Sequence, residues 1–155
     1  MAFKLSSRSL KRLEGVNKTL QDIVKEAITL SKVDFGVICG LRTKSEQAAL
    51  VKKGASQTMN SRHLPQASTG TSHAVDLMAY VGSRASWELN LYDDIADAMK
   101  AAAVAQGTQI RWGAAWHMPL NDSKGTAEEL MNQYIDIRRS EGRRAFIDGP
   151  HFELV

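Results

Sequence analysis

Residues 74–80 read Ala-Val-Asp-Leu-Met-Ala-Tyr, and this alternation predicts a β-strand that carries one acidic residue, Asp76, among apolar ones. The run Asp-Phe-Gly-Val-Ile-Cys-Gly at residues 34–40 predicts a second, buried strand that ends at a glycine. The run Gly-Pro-His-Phe-Glu-Leu-Val at residues 149–155 predicts a final strand with Phe152 and Leu154 on one face. The chain therefore carries three strand patterns that are far apart in sequence.

Helical patterns precede and separate these strands. Apolar residues recur at three- and four-residue steps over residues 7–30, which predicts one long amphipathic helix with a serine N-cap at Ser6 or Ser7 and a potential break at Gly15. Thr43 and Glu46 have the spacing of a capping box and predict the start of a further helix.

The second half of the chain adds two helical patterns and one more strand. A long helix is predicted from residue 87 to 105, and a short strand from residue 108 to 112. Residues 128–144 have helical propensity but carry four arginines, so we expect an exposed helical insertion around residues 117–146. Residues 55–72 read as a polar loop. Helices and strands mix without a regular βαβ alternation, which favours the α+β class in one domain over residues 1–155.

The composition excludes several classes of protein. The fractions of apolar residues, 43%, and charged residues, 24%, are those of a globular domain. The net charge of +3 arises without a run of five or six like charges, which disfavours a nucleic-acid-binding module. The lone cysteine, Cys39, excludes an intramolecular disulfide, and its apolar neighbours indicate a small buried side chain. No stretch is long and apolar enough to span a membrane and no signal peptide is visible, so we expect synthesis in a cytoplasm.

Histidines and one aspartate are the candidate metal ligands. Three of the four histidines stand in predicted loops or at strand starts. A catalytic zinc site needs three nitrogen or oxygen ligands and an open position for water, and His63, Asp76 and His151 would meet that need. The spacing alone is a weak signal and favours loop histidines that bind no metal.

Four segments carry a resemblance to a known family. Residues 40–47, Gly-Leu-Arg-Thr-Lys-Ser-Glu-Gln, are followed by Ser-Arg-His within residues 61–63 and by Gly70 and His-Ala-Val-Asp at residues 73–76. Arg-Trp-Gly-Ala-Ala-Trp at residues 111–116 and Asp-Gly-Pro-His-Phe-Glu-Leu at residues 148–154 complete the series. In this order the segments resemble the VanY-like D-alanyl-D-alanine carboxypeptidase and L-alanyl-D-glutamate endopeptidase family of zinc peptidases. The short format resembles the endolysins of tailed bacteriophages.

The resemblance implies a fold and a set of functional residues. The fold would be of the LAS type (hedgehog and DD-peptidase), with an antiparallel sheet and flanking helices. Arg42 matches a family arginine that faces the substrate, where its guanidinium could hold a carboxylate or stabilise an oxyanion; the alternative is an ordinary salt bridge. The other residues carried over are the Zn²⁺ ligands His63, Asp76 and His151, the catalytic acid/base Asp148, and the substrate-binding residues Ser61 and Gln47.

Two departures from the family pattern are visible. Twelve residues separate His63 from Asp76, more than the family usually has, and a loop of this kind tolerates insertion at modest entropic cost. His73, three residues before Asp76, is the alternative ligand, although the Ser-x-His context belongs to His63. Ala115 stands where many relatives carry an acidic residue. Its lost contact could be replaced by Asp122 or His117.

We therefore expect a zinc-dependent peptidoglycan peptidase of the phage endolysin type that hydrolyses the L-alanyl-D-glutamate bond of the stem peptide. The alternatives are a D-alanyl-D-alanine carboxypeptidase and a non-catalytic cell-wall-binding domain of the same fold. The expected partner is the peptidoglycan stem peptide, and the chain is expected to be a monomer that neither binds nucleic acid nor inserts stably into membranes. It would be made in the host cytoplasm and would act on the periplasmic cell wall after a holin, a functional partner only, permits its passage.

Overall fold

Five strands form one antiparallel sheet in the computed structural model, which describes residues 2–56 and 58–155. They are β1 (Asp34–Cys39), β2 (Ala74–Val81), β3 (Arg84–Ser86), β4 (Ile110–Trp112) and β5 (His151–Leu154). The order across the sheet is β1-β2-β5-β4, and the short strand β3, which the sequence pattern did not predict, pairs with the end of β2. The strands predicted at residues 34–40 and 149–155 thus both pair with β2, at the centre of the sheet.

Five α-helices and a 3-10 turn at Leu120–Asp122 accompany the sheet within the described chain. The helices are α1 (Ser7–Arg12), α2 (Lys18–Leu30), α3 (Lys44–Lys52), α4 (Leu89–Ala105) and α5 (Ala127–Ser140). Thr43 begins α3 with the predicted capping box: its hydroxyl accepts from the backbone N–H of Glu46, and the Glu46 carboxylate accepts from the N–H of Thr43. The α+β architecture with an antiparallel sheet agrees with the prediction.

The helical segment predicted over residues 7–30 forms two helices, α1 and α2, and the chain breaks between them at Gly15, the potential break named in the prediction. Gly15 has a φ of +84°, in the left-handed region that favours glycine. The neighbouring residue Val16 forms an isolated parallel bridge with Ser72, so the break is where the helical segment contacts the loop that leads into β2. Asn17 then caps α2 by accepting from the backbone N–H of Thr19.

The two faces of the sheet have different chemistry. Val75, Leu77 and Phe152 point to the side of α2 and α4 and belong to one buried apolar cluster with them. Because successive side chains of a strand alternate between faces, Asp76 and His151 point to the opposite side. The alternation along β2 therefore places Val75 and Leu77 in the core and Asp76 on the face that carries the candidate site.

Helix α5 packs against the core, so the expected exposed helix is wrong. Leu130, Met131 and Tyr134 are buried on one face of the helix, next to α4. Asp97 of α4 accepts from the backbone N–H of Ala127 at 2.8 Å and fixes the start of α5. The four arginines near and beyond its C-terminus concealed this amphipathic pattern, and one of them, Arg138, lies over the ring of the buried Tyr134 at 5.0 Å. Within the described residues, no helix combines the length and apolar content that crossing a bilayer would require.

Candidate metal centre and active site

The three predicted ligands converge at the start of β2. Asp76 and His151 are paired residues on β2 and β5, and Oδ1 of Asp76 lies 3.2 Å from Nδ1 of His151. His63, from the loop before β2, places its Nε2 3.3 Å from Oδ2 of Asp76. The two imidazole rings stand edge to face with centroids 5.2 Å apart. Asp76 is therefore the centre of the group.

Each imidazole ring is oriented by a hydrogen bond from the nitrogen that points away from Asp76. Nδ1 of His63 lies 2.9 Å from the carbonyl oxygen of Gly40, and Nε2 of His151 lies 2.8 Å from Oε1 of Glu153. These acceptors require N–H groups at those two positions in the neutral rings, so the free lone pairs are on the nitrogens that face Asp76. This is the arrangement in which histidines bind a metal ion, with the second nitrogen held by an oxygen acceptor.

Two overlapping groups of side chains could hold a divalent cation in the described chain. One contains Cys39, His63 and Asp76, and the other contains Asp76, Asp148 and His151; within each, the donor atoms lie within 4.8 Å of one another. Asp76 belongs to both. The Cys39 thiol is on the Nδ1 side of His63, 3.7 Å from the nitrogen that also contacts Gly40, so His63, Asp76 and His151 are the better oriented set.

The electrostatics of the group are dominated by mutual attraction. Burial alone would lower the pKa of His63 and of His151. Hydrogen bonds to Asp76, to Cys39 for His63 and to Glu153 for His151, together with the negative charge of Asp76, instead raise these pKa values to about 10 and about 9. Burial would raise the pKa of Asp76, and the two imidazoles instead hold it well below its usual range. A bound cation would replace the protons of the rings, since metal ligands bind in their deprotonated form.

Asp148 is held beside the ligands by Gly113, which follows β4. The N–H of Asp148 donates to the carbonyl of Gly113, and the N–H of Gly113 donates to the carbonyl of His151, each at 2.8 Å. A Cβ atom at residue 113 would lie 2.2 Å from the carbonyl oxygen of Asp148, so this approach requires glycine. Burial, followed by the negative charge of Asp76, raises the pKa of Asp148. Asp148 is thus a part-buried carboxyl next to the candidate ligands.

Arg42 lies on the other side of Asp76. Its Nη2 is 3.8 Å from Oδ2 of Asp76, and its Nη1 donates to Oε1 of Gln47 at 2.7 Å. Gln47 is fully buried and also donates to Ser56 and to the carbonyl of Thr58. Gln47 therefore orients Arg42. Because Gln47 itself is buried, it is not available for the direct substrate contact that was predicted for it.

Ser61 and Cys39 complete the surroundings of His63. The hydroxyl of Ser61 accepts from the backbone N–H of His63 at 3.1 Å. Cys39 is half-buried, next to His63 and 3.4 Å from Nη2 of Arg42, so its expected role as a simple buried apolar side chain is wrong. Burial raises the pKa of the Cys39 thiol, but the hydrogen bond to His63 together with the positive charges of His63 and Arg42 lowers it overall. No local pattern indicated this contact, because the two residues are 24 positions apart.

The residues considered as an alternative ligand, or as replacements for the acidic residue missing at position 115, lie outside the group formed by His63, Asp76 and His151. His73 hydrogen-bonds through Nε2 to the hydroxyl of Thr69 at 2.8 Å and is in neither metal-capable group of the described residues. His117 stacks on Tyr134, and Asp122 accepts from Gln109. Ala115 is fully buried in the apolar core.

Glu153 and Trp116 were missed by the sequence analysis. Glu153 is two residues after His151 on the same strand, so the period of two would have placed it on the ligand face. The ring of Trp116 lies 5.4 Å from that of His151, and the half-exposed Phe146 packs against it at 6.2 Å. These aromatic rings form one wall beside the candidate ligands.

Comparison with known proteins shows which family the chain resembles over its whole length. The family model described as "Phage L-alanyl-D-glutamate peptidase" matches residues 1–155. The L-alanyl-D-glutamate peptidase of Escherichia phage T5 is 28% identical over 159 residues, which cover 100% of both chains. The crystal structure of the Serratia marcescens L-Ala D-Glu endopeptidase ChiX superposes with a TM-score of 0.73 at 31% identity, over 99% of this chain and 91% of that one.

Proposed function

Because the chain belongs to the phage L-alanyl-D-glutamate peptidase family, we propose that it hydrolyses the L-alanyl-D-glutamate bond of the peptidoglycan stem peptide. The match extends over the whole chain rather than over one motif, which supports the same reaction on the same substrate class. The observation that carries the proposal is the meeting of two oriented imidazoles with the Asp76 carboxylate, next to Asp148. A non-catalytic wall-binding domain would have no use for that additional carboxylate.

The metal that fits this group best is zinc, held by His63, Asp76 and His151. Two imidazoles and one carboxylate form a ligand set of the catalytic type. Nε2 of His63 lies 3.3 Å from Oδ2 of Asp76, and Nδ1 of His151 lies 3.2 Å from Oδ1, so both imidazole nitrogens face the carboxylate that would hold the ion with them. When bound, zinc would supply Lewis acidity that polarises the scissile carbonyl and acidifies a water molecule.

Asp148 is assigned the proton transfers of the reaction. The oxygen of water attacks the carbonyl carbon of L-alanine while Asp148 accepts the proton that the water loses. When the C–N bond breaks, Asp148 returns that proton to the amino nitrogen of D-glutamate. Its part-buried position and raised pKa suit both directions of transfer, because an acid/base works best when its pKa approaches the working pH.

Arg42 is assigned to the substrate side of the centre. Gln47 holds one end of its guanidinium, which leaves Nη2 directed towards Asp76 and Cys39. A guanidinium fixed in this way can stabilise the oxyanion that develops on the scissile carbonyl, or bind a substrate carboxylate, without reorganising during the reaction.

The biological setting follows from this reaction and from the phage relative. We propose that the chain is a phage lysis enzyme that reaches the periplasmic wall once a holin has opened the host membrane. The release of stem peptides from the glycan would then weaken the wall.

Digestion of purified peptidoglycan tests the function directly. The protein is incubated with sacculi, with and without a chelator and with zinc restored afterwards, and new amino termini are identified by mass spectrometry. We expect new D-glutamate amino termini that disappear with chelator and return with zinc. Release of free D-alanine instead would favour the carboxypeptidase, and turnover unaffected by complete metal removal would contradict the zinc assignment.

A further inference from the structure

Glu153 is a buried carboxylate on the ligand face of the sheet that the reaction described above does not use. It is 8% exposed and lies on β5, two residues after His151. Its Oε1 is 2.8 Å from Nε2 of His151, and its Oε2 is 3.7 Å from Nε of Arg62. A buried carboxylate is costly unless it is paired, so these two contacts account for its being tolerated there.

We propose that Glu153 is a positioning residue that fixes and polarises His151 as a metal ligand, and that Arg62 holds Glu153 in place. The inference rests on the proposed metal site. Glu153 is not itself a ligand, because its carboxylate contacts the ring nitrogen on the side of His151 away from Asp76. By accepting the N–H at Nε2, it keeps the lone pair at Nδ1, 3.2 Å from Asp76.

The backbone of β5 does not need an acidic side chain at this position. Residue 153 lies opposite Ala74 on β2 and opposite Arg111 on β4, positions in the sheet register that any residue could occupy. The carboxylate therefore acts through its side-chain contacts. A carboxylate acceptor also raises the basicity of the imidazole it holds, which strengthens the bond from the opposite nitrogen to a cation.

Arg62 extends this contact into the long loop between the ligands. It directly precedes His63, and its Nη1 donates to Oε1 of Gln66 at 3.3 Å. Gln66, one of the residues that lengthen this loop, in turn donates to the carbonyls of Ser61 and Leu64. The loop that carries one ligand is thereby tied to the carboxylate that orients another.

The two contacts of Glu153 differ in strength. The contact with His151 is short and buried, whereas the pair with Arg62 is longer and the Arg62 side chain is 41% exposed. Solvent screening makes an exposed ion pair weak. The contact with His151 should therefore determine metal affinity, and Arg62 should contribute a smaller part.

The test is the zinc affinity of the metal-free protein, measured by competition with a chromogenic chelator, for the wild type and Glu153→Ala, Glu153→Gln and Arg62→Met. We expect Glu153→Ala to bind zinc about 10- to 100-fold more weakly. Glu153→Gln keeps an acceptor for the Nε2 proton without the charge, so its loss should be smaller but measurable. Arg62→Met should change affinity least. Glu141→Gln, which makes the same change on an exposed carboxylate of the α5 C-terminus, is the matched control and should leave affinity unchanged.

The absorption spectrum of the cobalt-substituted protein is the second readout, because a change in the ligand field of His151 would shift it whereas a loss of general stability would not. Wild-type zinc affinity and an unchanged cobalt spectrum in Glu153→Ala would overturn the inference. If that variant does not fold, the same result in Glu153→Gln would overturn it. Failure of the wild type to bind one zinc ion would instead overturn the proposed metal site itself.

Discussion

Asp76 and His151 face each other across the β2–β5 ladder, with Oδ1 and Nδ1 3.2 Å apart, and their separation is set by the sheet itself. Directly paired residues on antiparallel strands have Cβ atoms about 4.5–5.5 Å apart, so neither side chain needs a loop to reach the other. His63 comes from a loop, and it is anchored by its own carbonyl, which accepts from the N–H of Arg42 at 2.9 Å. The centre therefore combines two candidate ligands on a rigid sheet with one on a tethered loop.

Replacement of His63, but not of His73, should abolish metal binding. His63→Ala removes a nitrogen 3.3 Å from Asp76, whereas His73→Ala removes a ring that contacts Thr69 on the exposed side of the loop. We expect less than one tenth of the wild-type zinc content and hydrolysis after dialysis for His63→Ala, and near-wild-type values for His73→Ala. Zinc content is measured by atomic absorption, and hydrolysis by the clearing of sacculi. The reverse pattern would identify His73 as the ligand.

Features that depend on a few adjacent residues could be predicted from the sequence, whereas features that depend on contacts between distant segments could not. Alternation along residues 74–80 and the Thr43–Glu46 spacing are properties of a few adjacent residues, and both elements formed as predicted. Gly15 marked a potential break by itself, but the bridge of Val16 with Ser72 and the burial of one face of α5 against α4 join distant segments, so neither contact could be read from the segment alone. The contact of Cys39 with His63 is of the same long-range kind.

Asp148→Asn should separate catalysis from metal binding. The amide keeps the shape of the side chain but cannot accept the proton of water, and a positioned acid/base contributes about 10²- to 10⁴-fold to rate. We expect kcat to fall by that factor while zinc content and KM stay within about twofold of the wild type. Steady-state hydrolysis of a soluble muropeptide gives both constants. A kcat within a few-fold of the wild type would show that another group transfers the proton.

Arg42→Lys should reduce kcat/KM although the charge is kept. The shorter, single ammonium group cannot both donate to Gln47 at 2.7 Å and remain near Asp76, because it lacks the fork of the guanidinium. We expect kcat/KM for the muropeptide to fall about 10-fold or more, with zinc content unchanged. Gln47→Met leaves the guanidinium present but unheld, so it should lose less than Arg42→Lys. Wild-type kinetics in both variants would show that Arg42 forms an ordinary salt bridge and takes no part in the reaction.

Asp93, on α4, should make the protein less stable as the pH rises from about 4 to 6. Burial, with the negative charges of Glu128, Asp94 and Asp97, raises the pKa of Asp93 to about 6, above its value of about 3.9 in the unfolded chain. The folded state therefore binds more protons than the unfolded state in this window, and the free energy of unfolding falls as the pH increases through it. The penalty is fully present above the folded pKa.

Asp93→Asn removes this penalty. Relative to the wild type, the variant should gain about 1 to 3 kcal/mol in free energy of unfolding between pH 4 and pH 7. Urea unfolding of both proteins at the two pH values gives the difference, in which contributions from other titrating groups cancel. An unchanged difference would show that Asp93 is ionised at no cost in the folded protein.

Gly113→Ala should impair both stability and catalysis, because residue 113 joins the segments that carry Asp148 and His151. The added Cβ would lie 2.2 Å from the carbonyl oxygen of Asp148 and 2.9 Å from Cβ of His151, so the backbone must move. Overpacking of this kind costs about 1–3 kcal/mol, and a displacement of about 1 Å at reacting groups can cost about 10²-fold in rate. We expect a lower Tm and a kcat reduced at least about 10-fold per folded molecule.

Gly82→Ala is the control: its φ of +64° imposes strain, but no atom lies within 4 Å of the new Cβ. It should lose about 1–2 kcal/mol of stability with kcat unchanged. Equal kcat values in the two variants would show that the close approach at Gly113 does not hold Asp148 in its working position.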